Sequence, residues 1–84
     1  MQNIDLIALK GKIFRHFKGD LYLLIDMAEH TETGEKVVIY KALYGDCGVY
    51  ARPINIFLSE VDKMKYPNVT QKYRFEPVII KSIK

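Results

Sequence analysis

Apolar and polar positions alternate along most of this chain with the period of two that marks half-buried strands. From Lys12 to Phe17, the apolar Ile13, Phe14 and Phe17 are interleaved with Lys12, Arg15 and His16, which predicts a strand with one face buried and one presenting rings and cations. Lys18-Gly19-Asp20 is a turn in which glycine tolerates positive φ, so a hairpin returns the chain through Leu21 to Ala28. There Leu21, Leu23, Ile25 and Met27 share one side and Tyr22, Leu24, Asp26 and Ala28 the other; the first set is the expected core face. The polar segment from Glu29 to Glu35, with Gly34 near its end, predicts a second hairpin loop. Lys36 to Tyr44 is a β-branched and aromatic run, predicted as a well-buried central strand in which Val37, Ile39 and Leu43 oppose Val38, Tyr40, Ala42 and Tyr44.

Tyr44-Gly45-Asp46-Cys47-Gly48 reads as a tight connection into a fourth strand, Val49 to Arg52. Pro53 lacks an amide proton and holds Arg52 extended, so the ladder ends there and a helical turn follows around Ile54 to Phe57, with Phe57 and Leu58 plugging the core. Ser59 to Asp62 suits either a cap or a continued strand, and Tyr66-Pro67-Asn68 is a break. Gln71 to Ile80 alternates well enough for a closing strand, and Pro77 places it at a sheet edge or bulge. At the other end Asn3 caps a short helix over Ile4 to Lys10 with Gly11 as its stop, although Ile4, Leu6 and Ala8 also suit a strand. Five short strands joined by tight turns predict a mainly β domain, a small antiparallel barrel.

Length and composition narrow the function classes. A chain of 84 residues supports one domain, residues 1–84 with a core over about 11–80, and such a domain buries only about 60–65% of its unfolded surface. With 49% hydrophobic and 27% charged residues it is expected to fold alone in water. The longest apolar run, Leu21 to Ile25, is far too short to span a bilayer, and no cationic, apolar leader opens the chain. A single cysteine excludes an internal disulfide and suits a reducing cytoplasm. Without an export signal the sequon Asn68-Val69-Thr70 carries no weight. Charge is segregated: residues 1–19 hold four cations and one acid, residues 20–62 three cations and eight acids, and residues 63–84 six cations and one acid. Basic ends brought together would attract nucleic acid, whereas lysines scattered singly also serve simply to solvate a surface.

Candidate chemistry is sparse. His16, Asp46 and Cys47 are the residue types of a thiol hydrolase, but the carboxylate next to Cys47 opposes thiolate formation and the spacing is wrong. His16, His30 and Cys47 lack paired metal-ligand spacing. Gly45 and Gly48 precede a strand and not a helix, so they form no phosphate loop. What remains is a face: Arg15, His16, Tyr44, Asp46, Tyr50 and Arg52 converge if the turns flank neighbouring strands as expected. Rings with guanidinium groups stack on bases or grip an acidic peptide through forked hydrogen bonds. The purely architectural alternative pairs Arg52 with Asp46 and leaves the tyrosines as barrel packing.

Four ordered motifs carry a resemblance: Phe14-Arg15-His16-Phe17-Lys18-Gly19, His30-x-Glu32-Thr33-Gly34-Glu35, Tyr40-x-Ala42-Leu43-Tyr44-Gly45-Asp46, and Arg52-Pro53 with Phe57. From about Gly11 to Glu76 the chain resembles a small bacterial family of unknown function. The resemblance implies an SH3-like β-barrel and no activity. The chain departs from that family at Tyr50, often a Trp there, and in a longer loop from Lys63 to Gln71. Ala42-Leu43-Tyr44-Gly45-Asp46 also echoes the signature of polyproline-binding SH3 domains. The absence of any Trp sets that aside. The resulting expectation is a cytoplasmic, non-catalytic binding module without cofactor or metal, which uses the aromatic-arginine face on a protein or peptide partner. The alternative is a nucleic-acid-binding domain using the basic ends.

Overall fold

The computed structural model describes residues 1–79. Five strands, β1 (Ile13–His16), β2 (Leu21–Glu29), β3 (Lys36–Ala42), β4 (Val49–Pro53) and β5 (Phe75–Pro77), form one antiparallel sheet in the order β4-β3-β2-β1-β5. The mainly β, five-stranded expectation holds. The Lys18-Gly19-Asp20 hairpin sets Phe14 opposite Tyr22, and the second hairpin sets Glu29 opposite Lys36. β5 returns beside β1, with His16 opposite Phe75 and Phe14 opposite Pro77. Pro77 has no N–H to donate and sits at the sheet's edge, where none is required. Among the described residues no ladder joins β5 to β4, so pairing leaves two sheet edges.

The core lies on the face that carries Phe14, Leu24, Val38, Tyr40 and Phe75, all buried. Over it lie Phe57 of the single-turn helix α1 (Ile54–Phe57), then Leu58, and Leu6 from the N-terminal segment. The turn after Pro53 and the plugging role of Phe57 and Leu58 are as expected. The core face of β2 is not. A bulge between Leu24 and Asp26 leaves Ile25 without a partner on β3, so side-chain parity flips within the strand. Leu24 is therefore fully buried, Ile25 is 39% exposed, and Met27 packs against the core from beyond the bulge. Leu21 and Leu23 lie half-buried on the outer face.

Two further expectations change. Residues 4–10 form no helix: Leu9, Lys10 and Lys12 amides bond the carbonyls three residues back, and Asp5, not Asn3, caps the run by accepting the Ile7 and Ala8 amides. Gly11 ends it at φ 82°. The closing strand is three residues long and not ten; Glu60 and Tyr73 form an isolated bridge before it, and Ile80 lies outside the described residues. The 60–74 segment is held by its own contacts: Asp62 accepts the Met64 and Lys65 amides, and the Lys63 ammonium donates to the carbonyls of Val69 and Gln71. Among the described residues no helix is long and apolar enough to cross a membrane.

Candidate functional site

A row of aromatic side chains runs across the sheet on the side of the core. Tyr40 of β3 is buried, and Tyr22 of β2, Tyr50 of β4 and Phe75 of β5 surround it with ring centroids 5.4, 5.9 and 5.4 Å away. The antiparallel register dictates this, since Tyr40 is opposite Tyr50 and the diagonal neighbours lie within reach of a ring. His16 extends the row from β1, with its ring 4.9 Å from Phe75 and 6.3 Å from Tyr22. Phe17 and Tyr66 continue it, 4.9 Å apart. Tyr44, just past β3, shares a 2.5 Å hydrogen bond with the hydroxyl of Tyr22. Tyr44 and Tyr50 are exposed, 45% and 49%.

Arg52 is set into this row. Pro53 keeps it extended at the end of β4, and its Nε donates to the Tyr40 hydroxyl at 3.0 Å. Its guanidinium carbon is 5.7 Å from the centroid of Phe75. Among the described residues it has no carboxylate partner: the ion pairs there are Lys10–Asp26 and Lys36–Glu29. Arg74, also half-buried, donates from Nε to the Ser59 hydroxyl at 3.2 Å and likewise has no acid. These cations act on His16. Burial, then the charges of Arg52, Arg74 and Lys18, push its pKa down to about 4 against a small opposing effect of Asp20. The imidazole is therefore neutral at pH 7, and its Nδ1 accepts the Lys18 amide at 3.1 Å.

Of the six expected site residues, His16, Tyr44, Tyr50 and Arg52 belong to this row and two stand apart. Arg15 is exposed on the strand between buried Phe14 and half-buried His16, which puts it on the opposite face of β1. Asp46 is exposed in the turn after Tyr44, with no side-chain hydrogen bond or ion pair among the described residues, so it does not neutralise Arg52. Tyr22, Tyr40, Phe75, Phe17 and Tyr66 complete the row, and Arg74 acts on it through His16; none of these is among the six. Strand parity would have found Tyr40 and Tyr50 as a pair. Arg74 and Phe75 depend on the β1–β5 register, which joins positions far apart in sequence and has no local signal.

Other chemistry has little to build on. Cys47 is exposed in the same turn at φ 54°, its Sγ 3.9 Å from the Gly45 carbonyl. Among the described residues no three His, Cys, Asp or Glu side chains gather as a metal site would require. Two surface concavities lie away from the aromatic row, one where residues 9–13 meet residues 77–79, the other between residues 4–7 and Ile54 with Leu58.

A family model described as "protein of unknown function (DUF1653)" matches residues 12–77, nearly the span over which the motifs suggested a family of unknown function. A solved structure is similar throughout: a protein of the DUF1653 family from Bordetella bronchiseptica, 29% identical, with a TM-score of 0.72, covering 95% of this chain and 100% of that one. No curated protein matches.

Proposed function

We propose that this chain, which belongs to the DUF1653 family of proteins of unknown function, is a small interaction module that grips an anionic segment of a partner polypeptide on the face built by Tyr22, Tyr44, Tyr50 and Arg52. One observation carries the proposal: Arg52 is half-buried among rings and bonds a tyrosine hydroxyl, with no carboxylate partner among the described residues. A ligand anion neutralises such a charge in partly desolvated surroundings, where the attraction exceeds that of a surface pair. Exposed Tyr50, two residues before it on β4, and exposed Tyr44, bonded to Tyr22 in the same row, are stiff aromatic anchors of the kind that dominate interfaces. The scaffold is an SH3-like barrel in this reading, supported by a meander whose last strand returns beside its first. The module performs no chemistry of its own and works in the reducing cytoplasm, where its exposed thiol stays free.

A second reading, nucleic-acid binding, is favoured by the far end of the row. There the ammonium groups of Lys18 and Lys65 lie 5.7 and 5.5 Å from the centroid of Tyr66, a platform of cations and a ring. Amide NMR titrations at two salt concentrations separate the two. Shifts confined to Tyr44, Tyr50 and Arg52 with a Glu-rich peptide, abolished in a folded Tyr44→Ala, Arg52→Ala variant, establish the interaction module. Oligonucleotide shifts centred on Lys18, Lys65 and Tyr66 that collapse as salt rises would replace it with nucleic-acid recognition, since released counterions make such binding steeply salt-dependent.

A further inference from the structure

Three groups around Phe75 hold hydrogen-bond donors that no acceptor among the described residues takes. Arg52 and Arg74 each use Nε, on the Tyr40 and Ser59 hydroxyls, and their terminal guanidinium nitrogens make no further hydrogen bond or ion pair there. His16 accepts the Lys18 amide at Nδ1, so its neutral ring carries the proton on Nε2, which also has no acceptor. None of these atoms is among the buried, unpartnered polar atoms of the described residues, a class that holds Gln2 Oε1. Solvent therefore reaches all three groups. They gather around His16. Its ring is 4.9 Å and the Arg52 guanidinium carbon 5.7 Å from the Phe75 centroid, and the charges of both Arg52 and Arg74 act on the His16 ring, the Arg74 carbonyl being tied to the Phe17 amide at 3.0 Å.

A set of donors with no acceptor fits a ligand group that is all acceptor, an oxyanion. Charge narrows the class. Arg52 on β4, Arg74 ahead of β5 and Lys18 in the β1–β2 turn all act on His16 as cations, and Asp20 of that turn opposes them as the smallest influence, so the surroundings of the ring are positive by more than one cation. A carboxylate or an internal phosphodiester brings a single negative charge. A phosphate monoester brings about 1.5 to 2 at neutral pH, with three free oxygens for three donor groups. We propose that Arg52, Arg74 and Nε2 of His16 form a subsite for one phosphate monoester group carried by the partner. The subsite stands on its own geometry, and only the polypeptide source of the phosphate rests on the interaction-module reading.

The test is an NMR titration of the full chain with inorganic phosphate, acetate and dimethyl phosphate at constant ionic strength, followed at the Arg52 and Arg74 Nε–H signals and the His16 ring. Phosphate should saturate these signals at concentrations about tenfold or more below the other two anions. Arg52→Gln and Arg74→Gln should each weaken phosphate by about tenfold or more, the loss expected for a hydrogen bond to a charged group. Saturation with phosphate should also raise the His16 titration midpoint, because a bound anion stabilises the imidazolium. Equal affinity for acetate, unchanged affinity in both folded variants, or an unmoved His16 midpoint would each overturn the subsite. If Arg52→Gln fails to fold, Arg74→Gln and the His16 midpoint decide. A peptide that binds Tyr44 and Tyr50 while phosphate is rejected overturns the subsite and leaves the module. Phosphate bound while no peptide binds, phosphorylated or plain, overturns the module and leaves the subsite. An end-blocked oligonucleotide that matches phosphate in affinity overturns the monoester assignment.

Discussion

Phe57 and Phe75 stack with centroids 4.3 Å apart and planes 7° from parallel. Each is 1% exposed, so the single turn after Pro53 is fastened to the closing strand through two rings. Phe75 also makes T-shaped contacts with His16, Tyr22 and Tyr40, so the pair supports the aromatic row as well as the core. Replacing Phe57 by Ala removes a buried ring and opens a cavity beneath that row, at a cost of about 3–5 kcal/mol. That is a large part of the roughly 5–15 kcal/mol total of a natural domain. A urea titration should show the midpoint falling steeply, and a loss below about 1 kcal/mol would mean that the site collapses around the gap.

Tyr22 and Tyr44 make a second, more local prediction. Burial, and then the hydrogen bond that the Tyr22 hydroxyl makes with Tyr44, hold the Tyr22 phenol well above its ordinary range. In Tyr44→Phe the burial remains and the hydroxyl partner goes, so Tyr22 should ionise at a lower pH than in the parent while staying above an exposed tyrosine. Alkaline titration followed by phenolate absorbance reads this directly. An unchanged or raised Tyr22 midpoint would show that the hydroxyl pair is not formed in solution.

The strands and hairpins were legible because their signals are local. Gly19 and Gly34 adopt the left-handed conformations that their turns demand, φ 104° and 74°, and Pro53 ends β4 where its missing donor requires. Beyond local rules the chain is ambiguous. β2 is apolar on both sides, so alternation alone could not tell Leu23 and Ile25 from Leu24 as core, and the bulge that decides it leaves no mark in composition. The site was half legible for the same reason. Tyr50 and Arg52 share strand parity and lie on one side of β4, whereas Arg15 was grouped with them because it flanks a turn, and strand alternation puts it on the opposite face from His16. Arg74 lies 58 positions after His16, and only the β1–β5 pairing brings them together.

His16 links this site to stability. Its folded pKa of about 4 is below the ordinary 6.5, so between those values the unfolded chain binds a proton that the native ring refuses. Its contribution is therefore present in full above about pH 6.5 and is lost as pH falls toward 4. Asp26 and Glu29 are depressed carboxylates with ordinary values of 3.8 and 4.5, so their losses come at the acid end of that window or below it. Urea unfolding between about pH 5 and 7 isolates the histidine. Stability should drop on acidification across that range, and His16→Asn should flatten the slope; a parent slope of zero would mean that the native ring protonates as freely as the unfolded one.

Gly48 tests the face without touching its charges. A Cβ at this position would lie 2.7 Å from the Tyr50 hydroxyl oxygen and 3.0 Å from the carbon bearing it. The Gly48 carbonyl is tied to the Ala42 amide at 2.9 Å, so the backbone is held and the exposed ring is what moves. Gly48→Ala should fold with less than about 1 kcal/mol of change, because the clash is with the far end of a flexible side chain. Tyr50 should swing away from Tyr40, losing the 5.9 Å ring contact and the corresponding NOEs. If Tyr50 is an anchor, affinity for an anionic peptide should fall about fivefold or more, the scale of losing a useful interface aromatic. Inorganic phosphate, held by Arg52 and Arg74, should bind as before. Loss of both would mean that the substitution disturbs β4 itself, and loss of neither would remove Tyr50 from the binding face.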